Sequence, residues 1–207
     1  MRPRIETNNA WQEDPVKIRL AIAQHILNKI PEDVVNEHAD LIELETRAAE
    51  FLFFAASVID IIKREINDRF QTFDRENVYY IYGFTKHLPD DKDGIKIKQT
   101  IFRYFSTPNI TERTPMAKSM LWKLQQLRNQ ASHGCIIAIV ENRVRFTFTI
   151  RNGKGKTTYK IKETTARPQH YFKRILKKLC AFVVEIRKVT NNDSKYTLDL
   201  NDIKIQI

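Results

Sequence analysis

The chain has 207 residues, with 35 Lys or Arg against 25 Asp or Glu, and a formal net charge of +10. Apolar residues at 42% and aromatics at 10% exclude a disordered chain and are enough for a buried core. Only 5 glycines, below the usual ~7%, argue against a Gly-rich nucleotide-binding fold and in favour of helices.

The charge is unevenly placed. Residues 1–94 carry 12 Lys/Arg against 18 Asp/Glu, net −6, and residues 95–207 carry 23 against 7, net +16. A basic second half points to a polyanionic partner, although a solvated surface accounts for charge alone equally well. The first residues, MRPRIETNNAW, contain no apolar signal core. The most apolar stretch, 51–62, is broken by Asp60 and is far short of the ~20 residues of a membrane helix. Cys135 and Cys180 have no CxxC partner and no zinc-spaced His. They are expected to be reduced, buried thiols in a cytoplasmic protein with no membrane contact.

In chain order, Asp14-Pro15 opens a first helix, with Ile18, Ala21, Ile22, Ile26 and Ile30 on its apolar face and Pro31 ending it. A long helix is predicted from about Asp40 to Phe70. It is apolar over more than one stripe at 51–62, which places it centrally. A shorter helix is predicted over about 75–86, where the aromatic run Val78–Tyr82 suits a strand as well. Residues 89–94, PDDKDG, read as a loop. They lack the spacing and terminal Glu of a calcium loop. Ile95–Phe105 reads as helix. Thr114-Pro115 marks a helix start, with Met116, Met120, Leu121, Leu124 and Leu127 facing inward and Gly134 stopping the helix after His133.

The period then changes. Residues 136–140, 144–150 and 157–162 read as strands, with Asn152-Gly153 as a hairpin signal. Pro168 opens a last helix to about Lys188, with one apolar face and one basic face. Residues 191–207 alternate weakly and suggest an edge strand. The fold class is therefore mainly α: a helical bundle with a small antiparallel β-meander inserted before the last long helix. A single domain over 1–207 is expected, with the bundle at about 14–133 and 168–190, the meander at about 135–163 and a tail at 191–207.

One segment carries chemistry: Leu127-Arg128-Asn129-Gln130-Ala131-Ser132-His133-Gly134. On a helix, Asn129 and His133 share a face. Arg128 lies about 140° from His133, within reach of a long side chain. Helix-end carbonyls favour a protonated His133. His suits general acid–base work, Arg offers a donor fork to phosphate, and Asn orients either group.

Arg128-Asn129-x-x-x-His133 resembles the motif of the HEPN superfamily, in which Arg, a polar residue and His follow one another near the end of a late core helix. The likeness covers about 15–190 in architecture and these few residues in sequence. The meander is not part of the minimal HEPN bundle. The resemblance implies a HEPN-like bundle and metal-independent RNA cleavage, by 2′-OH attack on the adjacent phosphate. The products would be a 2′,3′-cyclic phosphate and a 5′-OH. It also implies a homodimer with a composite active site, and a role in toxin–antitoxin or antiviral defence under an antitoxin or other regulatory partner. Arg128, Asn129 and His133 would be catalytic, with no cofactor and no metal. A non-catalytic HEPN module that binds nucleic acid or a partner protein is the alternative.

Arg143, Arg145, Arg151, Lys154 and Lys156 of the meander, with Lys173 and Lys177 of the last helix, are candidates to track an RNA backbone. Asn152-Gly153-Lys154-Gly155-Lys156 lacks the P-loop pattern and reads as a turn rather than a triphosphate cradle. His25, His38, His87 and His170 are scattered without metal-ligand spacing. Glu43 and Arg47 read as an i,i+4 surface pair rather than as cleft residues. A helical DNA-binding regulator is disfavoured, because no helix–turn–helix pattern with a polar reading face is present.

Overall fold

The computed structural model describes residues 14–33, 38–70, 81–105, 119–131, 138–140, 143–151, 158–191 and 193–198. It is mainly helical, with a small antiparallel sheet before the last helix.

Helix α1 (Pro15–Leu27) starts where a proline at the first helical position follows an Asp cap. The Asp14 carboxylate accepts from the Val16 amide at 2.9 Å. Helix α2 (His38–Phe70) is the long central element. Its buried stripe, Leu44, Ala48, Phe51, Leu52, Ala55, Ile59, Ile62 and Ile66, recurs at three and four residues and packs against α1 and later helices. Ala56 and Val58 are buried beside this stripe, in line with the expected apolar surface wider than one stripe at 51–62. Phe53 falls off the stripe and remains 55% exposed.

Helix α3 (Ile81–Phe84) continues as a 3₁₀ turn over Thr85–His87. The rest of the aromatic run up to residue 80 lies outside the described residues. Helix α4 (Lys92–Tyr104) begins earlier than its expected Ile95 start. The acidic loop is used to launch it. The Asp91 side chain accepts from the Gly94 amide at 2.7 Å as N-cap, Asp90 binds Lys98 at 2.6 Å, and Asp93 pairs with Arg69.

Helix α5 (Met120–Ala131) begins six residues after the expected start at Thr114. Ser119 is its cap: the hydroxyl accepts from the Trp122 amide at 3.3 Å and donates to the Tyr104 carbonyl. Residues 106–118, including Thr114-Pro115 and Met116, lie outside the described residues. So do 132–137, which hold His133, Gly134 and Cys135.

Strands β1 (Ala138–Val140), β2 (Arg143–Arg151) and β3 (Thr158–Thr165) form an antiparallel meander in that order. β1 pairs Val140 with Arg143, and β2 pairs Phe146 with Glu163 and Arg145 with Thr164. Helix α6 (Pro168–Thr190) closes the fold. Among residues 193–198 of the tail there is no strand. Tyr196 instead packs against α6 and accepts from Arg187 at 2.9 Å.

The meander is part of the core. Val144, Phe146 and Phe148 are fully buried on its inner face. Phe146 stacks on Tyr171 of α6, with centroids 4.5 Å apart, and meets Phe172 at 5.8 Å. Phe172 in turn lies 5.1 Å from Phe51 of α2. Trp122 of α5 reaches Phe148 at 5.9 Å. Sheet, α2, α5 and α6 thus share one aromatic cluster, and this cluster sets how α5 is presented.

Candidate functional site

Helix α5 is held on two sides. Leu121, Leu124 and Leu127 are buried. Its sheet-facing side is fastened by polar contacts: the Gln130 amide donates to the Thr147 carbonyl at 2.7 Å, and Lys123 Nζ lies 2.6 Å from Glu163 of β3. Lys123 and Gln130 are seven residues apart and so nearly eclipse one another on the helix. Arg128 lies about 140° from Lys123 and therefore faces α2.

There Arg128 lines an open groove of about 320 Å³ with Ala49, Glu50, Phe53, Phe54 and Ala131. Its guanidinium stands 3.9 Å from Asp60 of α2, with both side chains 43% exposed. It donates to Asn129 Oδ1 at 3.4 Å. An exposed pair at that separation is worth less than ~1 kcal/mol, so a phosphate can exchange for Asp60 at small cost. Asp60 also binds Lys63 at 2.6 Å. Arg128 and Asn129 are thus adjacent at the last described turn of α5. His133 lies outside the described residues.

Glu43 and Arg47 form the expected i,i+4 pair at 3.7 Å, and Arg47 also reaches Glu50 at 3.1 Å. The carboxylate that lines the groove from this part of α2 is Glu50. Phe53 was missed. Its only signal was its place outside the 3–4 pattern of the buried stripe.

The cationic candidates divide by register. On β2 the inward positions are Val144, Phe146 and Phe148, so Arg143 and Arg145 stand on the other face. Lys162 and Thr164 of β3, paired with Thr147 and Arg145, share that outer face and are exposed. Arg151 holds a backbone position of the same parity, opposite Thr158. Lys154 and Lys156 lie outside the described residues. Lys162 was not singled out from sequence, though its period-two placement opposite the arginines marks it. On α6, Lys173 and Lys177 are exposed together with Arg174 and Lys178.

The structure does not gather all the candidates at one place. The first turns of α6 meet α5 at its N-terminal end, where His170, Tyr171 and Arg174 line a second cavity with Met120 and Lys123. Arg128 is five residues along, about 7.5 Å of helix rise away and on a different face.

Among the described residues no group of three or more His, Cys, Asp or Glu could hold a metal ion. No described helix is long and apolar enough to cross a membrane. Cys180 is half-buried, and its burial pushes the thiol pKa up to about 11. No family model matches the chain, and no curated protein and no solved structure matches it.

Proposed function

We propose that the chain is a metal-independent endoribonuclease of HEPN type. The observation that carries this reading is the pairing of Arg128 with Asn129 on the last described turn of α5, beside an open groove against α2. Arg128 holds the scissile phosphate through its donor fork and stabilises charge as the 2′-OH attacks. Asn129 orients that phosphate, and His133 moves the proton. A second copy supplies the other Arg–His pair in a homodimer. RNA approaches over the outer face of the sheet and the exposed cations of α6. A cytoplasmic role in toxin–antitoxin or antiviral defence, under a regulatory partner, goes with this reading.

The test is a labelled RNA pool incubated in EDTA with wild type, Arg128→Ala and His133→Ala, followed by identification of product ends. The expected result is 2′,3′-cyclic phosphate and 5′-OH ends from wild type alone. Cleavage that survives both substitutions overturns the reading.

The exposed Phe53 ring in a largely apolar groove favours a second reading, a non-catalytic module of the same fold that docks a partner. It predicts salt-sensitive RNA or partner binding with no cyclic-phosphate product.

A further inference from the structure

The second cavity, about 340 Å³, lies where the start of α5, the end of β3 and the first turns of α6 meet. Its lining is Met120, Lys123, Glu163, Thr164, Thr165, His170, Tyr171 and Arg174. Glu163 is the one carboxylate among these residues, and it is already engaged. Lys123 Nζ lies 2.6 Å from it, and the Tyr171 hydroxyl donates to it at 3.3 Å. Lys123 is only 8% exposed, so this pair is a neutralised floor rather than a site for a cation.

The rim is different. His170 and Arg174 are four residues apart on one face of α6, and both are exposed. Among the described residues no carboxylate lies within ion-pair distance of either. Thr164 and Thr165 at the end of β3 border the cavity beside them. The lining therefore carries one uncompensated positive charge, that of Arg174, with the His170 imidazole beside it.

The start of α6 adds to this. Its first turn has no acidic residue and its N-cap, Arg167, makes no capping side-chain bond. The positive end of the helix is left for a ligand to complement, and His170 and Tyr171 of that first turn line the cavity. Exposed Lys173, Lys177 and Lys178 extend the positive potential along α6.

We propose that this cavity binds a phosphate group, held by Arg174 and His170 over the Lys123–Glu163 floor. A guanidinium and an imidazole one turn apart on α6 match the oxygens of a phosphate anion. The group can come from a phosphomonoester such as a nucleoside monophosphate, or from a phosphodiester of an RNA strand. The site stands on a different face of α5 from Arg128, so it holds whether or not the chain cleaves RNA.

The experiment is calorimetric titration of the full chain with inorganic phosphate, with AMP and with the dinucleotide ApA, which has no terminal phosphate. Wild type is expected to bind at least one of them saturably at constant ionic strength. Arg174→Ala and His170→Ala each weaken that binding at least tenfold, while Lys188→Ala, which removes a charge at the far end of α6, changes it less than twofold. Preference for AMP over ApA assigns a terminal phosphate, and the reverse assigns the RNA backbone. No saturable binding, or equal weakening in all three variants, overturns the proposal. The substituted side chains are exposed, so melting curves that match wild type are expected. Loss of the His170 imidazole shift change on phosphate addition in Arg174→Ala gives a second readout.

Discussion

Arg187 and Asp14 lie 173 residues apart in sequence, yet a two-pronged ion pair joins them: Arg187 Nη2 donates to Asp14 Oδ1 at 2.9 Å and Nη1 donates to Oδ2. The same guanidinium reaches Glu65 of α2 through Nε at 3.3 Å and through Nη2, and it donates to Tyr196. One Arg, 6% exposed, thereby ties the cap of α1, the end of α2, the last turn of α6 and the tail together.

Acid should loosen this knot. Burial pushes the Asp14 carboxyl pKa up, but the Arg187 hydrogen bond and charge, with the Val16 amide, outweigh it and hold it below the ordinary 3.8. A depressed carboxylate contributes stability that is present above its unfolded pKa and is lost as pH falls through the folded one. Wild-type stability should therefore fall below about pH 4. The Asp14→Asn curve should be flatter there and lower at neutral pH. Arg187→Met should cost about 3 kcal/mol, since it strands two carboxylates. Urea unfolding across pH checks both.

Arg128 separates function from fold. Arg128→Lys keeps the charge but loses the planar fork, so cleavage is expected to drop by about 100-fold. Stability should change by less than about 1 kcal/mol, because the Asp60 pair is exposed. Single-turnover RNA cleavage and thermal melts, run side by side, read the two effects.

Gly94 should resist a substitution that helix propensity favours. It sits in the first turn of α4, and a Cβ there would lie 2.2 Å from the Pro89 carbonyl oxygen. Backbone on both sides of that contact cannot yield cheaply. Gly94→Ala is expected to destabilise by about 1–3 kcal/mol, where an open helix position would gain ~1 kcal/mol. Chemical denaturation of the variant decides between them.

Cys180 should be a slow thiol. With its pKa raised to about 11 by burial in α6, the thiolate at pH 8 is on the order of one part in a thousand. Alkylation by iodoacetamide at pH 8, followed by peptide mapping, should leave Cys180 largely unmodified in the folded chain. It should become modified in urea.

Local chemistry made several features legible in the sequence. Asp14-Pro15 set the start of α1, because cap and proline act within one turn. The 3–4 spacing of Leu44, Ala48, Phe51 and Ala55 set the buried face of α2, and the change to period two at residue 143 set the strands. Pro168 set the start of α6. The same local reading misplaced the starts of α4 and α5. In both cases a competing cap, Asp91 or Ser119, took the helix end, and Ser119 does so through a bond to the Tyr104 carbonyl fifteen residues back.

The sequence by itself determined the helical class and the meander before the last helix, since both rest on neighbours along the chain. Tertiary structure alone decided the rest. It inserted Phe146 between α6 and the core, turned Arg128 toward α2 and Lys123 toward β3, and left Phe53 exposed. It also brought Glu163, His170 and Arg174 around one cavity. Those outcomes depend on which helix faces and strand registers meet across long separations. Spacing along the chain gives each residue an angle on its own element, and only packing assigns the neighbour found there.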